Sequence, residues 1–198
     1  MNISKLADKI KDYKIIGLGE ATHGQLKLNE FRNKLIKYLV KKYNFRVIVL
    51  EEQYSCSKIL DKYIKDKNIS YLDGIDAFPF LSKTFVNLLN WLKSYNKKNK
   101  NKVSIIGIDC NDECPKYNSK SITNKYVIKL IKAYNKIPYS EGIKRINFRD
   151  KCMYKIFMKQ YNEKYKYLIL SHNGHLQKYG YPLESYVTYM SHRSLQGA

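Results

Sequence analysis

Four short polar segments hold the residues that could do chemistry: Gly19-Glu20-Ala21-Thr22-His23-Gly24, Glu51-Glu52, Asp109 with Asn111-Asp112, and Ser171-His172-Asn173-Gly174-His175. Three of the four histidines fall in them, together with several carboxylates. An imidazole needs little tuning to act as a base near neutral pH, so His23 is the candidate base. Glu20, three residues earlier, and Glu51 could fix its tautomer or orient a water molecule. Arg32 could reach the same place from about one turn into the following helix, and His172 could polarise a substrate oxygen or stabilise an oxyanion. No nucleophile accompanies them, since a Gly-x-Ser-x-Gly elbow is absent. The set therefore favours activation of water. Each member has a plainer reading: a carboxylate that ends a strand often caps the next helix, an isolated His is often structural, and Arg32 could be an ordinary exposed helix arginine. Their coincidence at four strand ends is what argues for a site.

Each segment follows an apolar run with the length and branching of a buried strand: Lys14 to Gly19, Phe45 to Leu50, Val103 to Ile108 and Tyr167 to Leu170. The second run has no polar alternation, the mark of a strand covered on both faces. Between the runs, apolar residues recur at helical spacing, as at Leu28, Phe31, Leu35, Leu39 and Tyr43. Helices are predicted over Ile3 to Lys11, from Gln25 to Tyr43, and near Ser57 to Lys65, Lys83 to Tyr95, Thr123 to Asn135 and Asn147 to Tyr161. Parallel neighbours need crossovers, so this alternation predicts an α/β fold with a mostly parallel central sheet flanked by helices. Residues 1–198 read as one such domain, with no repeat, Pro-rich linker or internal boundary. Ligands of open parallel sheets bind beyond the carboxyl ends of the strands, where all four polar segments lie.

Gly17-Leu18-Gly19-Glu20-Ala21-Thr22 begins like a dinucleotide fingerprint, but Thr22 stands at the third glycine and Glu20 would repel a pyrophosphate. There is no Gly-Lys-Ser/Thr either, so the P-loop is absent. The formal charge is +20, from 37 Lys and Arg against 17 Asp and Glu. Only five of the 37 are arginine, the residue suited to bidentate phosphate or base recognition, and no specific nucleic-acid partner is expected. No apolar run is long enough to span a bilayer, and Met1 to Lys14 lacks a signal-peptide core, which predicts no membrane partner and a cytoplasmic location. Cys56, Cys110, Cys114 and Cys152 read as reduced thiols, because a chain of this size can build its core without staples.

At these same residues the chain resembles the erythromycin esterase family. The resemblance rests on Leu18-Gly19-Glu20-Ala21-Thr22-His23-Gly24, Phe31-Arg32, Phe45 to Glu51, Ile106-Gly107-Ile108-Asp109, Arg149-Asp150 with Met153, and His172-Asn173-Gly174-His175. It implies hydrolysis of a carboxylic ester, in the best-known members the macrolactone of an antibiotic, with no metal and no cofactor. It places the base on His23, the adjacent acid on Glu20, the helix arginine on Arg32, the second-strand glutamate on Glu51 and the late-strand histidine on His172. His175 and Asp109 are expected at the substrate, which would be a small-molecule ester. Family esterases are about twice as long, so the resemblance implies an esterase-like core with a reduced helical lid, and the end at Ser191 to Ala198 is compatible with a truncation. Two other readings stand beside this one. Glu20, His23, His172 and His175 could hold a metal in a metallohydrolase, or the sheet could be a non-catalytic basic scaffold for polyanions.

Overall fold

The computed structural model describes residues 2–21, 25–66, 82–111 and 124–176. The elements follow in the order α1 (Ile3–Ile10), β1 (Ile15–Glu20), α2 (Leu26–Tyr43), β2 (Phe45–Gln53), α3 (Tyr54–Lys65), α4 (Lys83–Lys98), β3 (Ser104–Asp109), α5 (Lys125–Asn135), α6 (Gly142–Gln160), β4 (Lys166–His172) and α7 (Asn173–Leu176). The four strands form one sheet in the order β1-β4-β2-β3, and every pairing is parallel. The expected α/β class with a parallel sheet is observed.

The strand order explains the layers. From β1 to β2 to β3 the chain moves one way across the sheet, and from β3 to β4 it returns to insert between β1 and β2. Crossovers between parallel strands are right-handed, so reversing direction puts the connecting helices on the opposite face. Accordingly, Ile48 and Leu50 of β2 and Leu168 and Leu170 of β4 pack with α1 to α4 in one core. Val47 and Val49 of β2 and Tyr167 of β4 pack with α5 and α6 in the other. The helices that follow β2 and those that follow β3 therefore lie on opposite faces, the strand-order reversal beyond whose carboxyl ends open parallel sheets bind ligands.

Several boundaries differ from the sequence expectation: α3 begins at Tyr54 instead of near Ser57, α4 continues to Lys98, and two further differences have a visible cause. α6 begins at Gly142 instead of near Asn147 because Arg145 occupies a core-facing position. Its guanidinium lies 4.1 Å from the ring centroid of Tyr134 and 4.0 Å from that of Tyr139, so a charge stands where the apolar stripe would have been read. β2 runs on through Glu51 and Glu52 to Gln53, with an irregularity in its register against β3 after Leu50. Gly107 of β3 makes room for that bulge: a Cβ there would lie 2.5 Å from the carbonyl oxygen of Glu52 and 2.6 Å from that of Gln53.

Cys110 and Cys152 are free and buried, as expected, but Cys56 is disulfide-bonded. Chain size says only that a staple is not needed, so it could not exclude one. Among the described residues no helix is long and apolar enough to cross a membrane.

Candidate active site

The polar strand ends meet along the carboxyl edge of the sheet. Glu20 of β1 lies opposite His172 of the neighbouring β4, β2 adds Glu51 and Glu52, and β3 adds Asp109. His23 and Asp112 lie outside the described residues.

Glu51 is the hub of this edge. Its Oε1 accepts hydrogen bonds from Arg149 Nη2 and His175 Nε2, each at 3.0 Å. Its Oε2 accepts from Ser171 Oγ at 2.7 Å and from the His172 backbone N–H at 2.8 Å. Burial alone would raise its carboxyl, but His175, Arg149 and the His172 N–H outweigh it and hold Glu51 well below the usual range. Two donors on each oxygen use its accepting capacity in full.

Arg149, on α6, ties this hub to β3. Its Nε and Nη2 grip Asp109 Oδ1 and Oδ2 at 2.9 and 2.6 Å, a bidentate pair, and Asp109 Oδ1 also accepts the Asn111 N–H at 3.1 Å. Burial opposes the charge on Arg149, yet Asp109 and Glu51 drive its pKa above the ordinary arginine value.

His175, expected at the substrate, stands between two carboxylates: Nε2 faces Glu51 and Nδ1 faces Asp150. A carboxylate oxygen at each ring nitrogen favours the imidazolium, while Arg149 Nη1, 3.4 Å from Nε2, also approaches the ring. Burial would lower its pKa, but the bonds to Asp150 and Glu51 raise it from 6.5 to about 9. Because the folded value exceeds the unfolded one, this contribution to stability is complete below pH 6.5 and lost as the pH rises through about 9. Thermal unfolding of the wild type is expected to lose up to about 3 kcal/mol across that window. His175→Gln is expected to lack that slope, and parallel pH profiles for the two proteins would contradict the assignment.

His172 has a defined tautomer. Its Nε2–H donates to the Ala21 carbonyl at 2.8 Å, and its Nδ1 accepts the Gly174 N–H at 3.1 Å. The ring thus fastens the exit of β1, two residues before His23, to the start of α7. The glycines of β1 seat that short helix: a Cβ on Gly19 would fall 2.0 Å from Asn173 Oδ1, and one on Gly17 would fall 3.3 Å from Leu176 Cδ1. The paired glycines are a packing surface for the His172 to His175 loop.

Across the β1 end, Glu20 is 8% exposed and its Oε2 lies 3.4 Å from Arg32 Nη2, which also donates to Asn29 Oδ1 at 2.8 Å. Burial lowers the Arg32 pKa and Glu20 opposes it. Arg32 therefore does reach back from α2, although α2 begins at Leu26 and places it nearly two turns into the helix instead of about one.

The structure thus brings Glu51, Asp109 and His175 into one network and Glu20 with Arg32 into a second, with His172 between them. Arg149, Asp150 and Ser171 are members that chemistry-bearing spacing did not single out. The available signal was compositional, since a buried arginine in a lysine-rich chain marks a position needing a planar fork. As for metal binding, no group of three His, Cys, Asp or Glu side chains is arranged to share an ion among the described residues. The rings of His172 and His175 direct their nitrogens at protein partners.

An erythromycin esterase family model matches residues 40–137. Erythromycin esterase type I of Escherichia coli is 29% identical over 109 residues, covering 52% of this chain and 26% of that protein. Among solved structures, a succinoglycan biosynthesis protein superposes with a TM-score of 0.62 at 16% identity, covering 86% of this chain and 59% of the other. A Bacillus cereus protein gives 0.56 at 20% identity, covering 91% and 62%. A mutant of the erythromycin esterase EreC in its open conformation gives 0.58 at 19% identity, covering 89% and 64%. The chain spans about a quarter of the length of the curated relative and about three fifths of the solved chains.

Proposed function

We propose that this chain, which belongs to the erythromycin esterase family, hydrolyses a carboxylic ester by direct attack of a water molecule activated by His23. The observation that carries the reading is the hydrogen bond from His172 Nε2 to the Ala21 carbonyl at 2.8 Å. It holds Ala21, two residues before His23 in the sequence, at the polar edge beside Glu20 and its Arg32 partner.

In this mechanism the His23 imidazole takes a proton from water while Glu20 orients the reactants. The new hydroxide attacks the ester carbonyl, and the Arg32 guanidinium, 3.4 Å from Glu20, steadies the oxyanion. His172 acts on the position of β1, since its Nε2–H already serves Ala21. Glu51 acts in the same sense as an anchor: its four hydrogen bonds hold β2, β4, α6 and α7 in register. Asp109 and His175 complete that scaffold through Arg149 and Asp150. A macrolactone is one member of the substrate class and short-chain esters are another.

The test is acid release from a panel of carboxylic esters, a macrolactone included, in the presence of EDTA. Release from at least one ester is expected. No release from any, or release that EDTA abolishes and a divalent metal restores, would overturn the reading.

A further inference from the structure

Direct attack by water leaves a second proton to account for. Breaking the acyl C–O bond of an alkyl ester expels an alkoxide, a poor leaving group until it is protonated. Two consecutive glutamates lie at the end of β2, beside β3, and they are not equivalent. Glu51 is saturated by four donors. Glu52 is half-buried, and its Oε1 takes the Gln53 N–H at 2.9 Å. Its other oxygen engages no donor among the described residues.

The bulge in β2 sets this difference. The register of β2 against β3 shifts between Leu50 and Gln53, where the backbone lies over Gly107, so consecutive glutamates leave the strand differently. The charged groups facing Glu52 are Glu51 of its own strand, Asp109 of β3 and Arg149 of α6. Burial raises its carboxyl to about 7; the Gln53 N–H and Arg149 oppose this, while Asp109 and Glu51 reinforce it. Such a carboxyl still carries a proton near neutral pH, and β2 stands two strands from the β1 exit, roughly 10 Å away by strand spacing. The base and the acid serve two oxygens on one acyl carbon, and side chains reaching inward from those two strands can close the gap to it.

We propose that Glu52 is the proton donor to the leaving alcohol, so that the substrates are esters of ordinary alcohols, lactones included. This rests on the hydrolase reading above. Water oxygen bonds to the acyl carbon as His23 takes its proton. The acyl C–O bond then breaks, and the departing oxygen takes the proton of Glu52. Proton return from the His23 imidazolium, through solvent, restores both groups.

The experiment compares ethyl butyrate, whose alkoxide needs a proton, with p-nitrophenyl butyrate, whose phenolate leaves without one. Glu52→Gln is expected to lower kcat/KM on the ethyl ester by about 10²-fold or more and on the aryl ester by less than about threefold. Glu52→Asp should recover part of the ethyl ester activity. Equal losses on both esters, or no loss on either, would overturn the assignment. Should Glu52→Gln fail to fold, the wild type decides: its kcat/KM for the ethyl ester should fall as the pH rises above about 7, with no such fall for the aryl ester. Coincident profiles would overturn the role. Where the wild type cleaves other esters of the panel but neither butyrate, the alkyl and aryl esters of an acid it does accept replace them; a wild type that cleaves no ester removes the hydrolase reading itself, a result distinct from selective failure of Glu52.

Discussion

His23→Ala is expected to lower kcat/KM for ester hydrolysis by about 10²- to 10⁴-fold, the usual share of a general base, in a protein that still folds. The two halves of this expectation have different physical origins. The rate depends on a group that removes a proton from water as the carbonyl is attacked, and alanine cannot do so. Folding of this edge is supported by the bond of His172 to Ala21, the Glu20–Arg32 pair and the packing of α7 on Gly17 and Gly19. A His23→Ala protein that folds normally and turns over at the wild-type rate would remove His23 from the mechanism.

Arg149→Met is expected to act mainly on stability, lowering it by about 3 kcal/mol and the Tm by roughly 10 °C for a chain of this size. Methionine fills much of the same volume but leaves Asp109 and Glu51 without their shared cation. Removing one partner of a buried pair strands the charge that remains, a larger penalty than the net worth of the pair itself. The side chain of Arg149 is 24% exposed, which places the loss at the lower end for such pairs. Arg149→Lys should recover only part of the stability, because an ammonium cannot reproduce the two parallel bonds to Asp109. Thermal unfolding of the three proteins checks this. A methionine variant within about 2 °C of wild type would show that β2, β3 and α6 are held together by other means.

Much of the fold was legible because a parallel sheet imposes simple demands on its strands. β2, β3 and β4 are buried on both faces and read as unbroken apolar runs, and the polar residues directly after them mark the carboxyl edge. Glu20, Glu51, Asp109, His172 and His175 were found this way, without any knowledge of strand order. What the pattern could not convey is which of them touch. That depends on β4 inserting between β1 and β2, a long-range choice with no local signature.

Arg149 shows the limit most clearly. It sits within a helix, away from any strand end, and only its family motif drew notice to it. Composition held a further clue: the described arginines, Arg32, Arg46, Arg145 and Arg149, all have directed hydrogen bonds at buried or half-buried positions. Where lysine supplies nearly all surface charge, arginine is reserved for places where a planar fork must meet fixed acceptors. Glu52 shares its polar segment with Glu51, and sequence does not tell the two apart; the bulge separates a saturated anchor from a carboxyl with one oxygen that meets no donor among the described residues.

The central claim is that an ester is cleaved by water with no covalent intermediate, and single turnover in ¹⁸O-labelled water with enzyme in excess tests it most directly. The account predicts ¹⁸O in the carboxylate product from the first turnover, none in the alcohol, and an unchanged protein mass throughout. An acyl adduct on the protein, label in the alcohol, or an intact ester would contradict it.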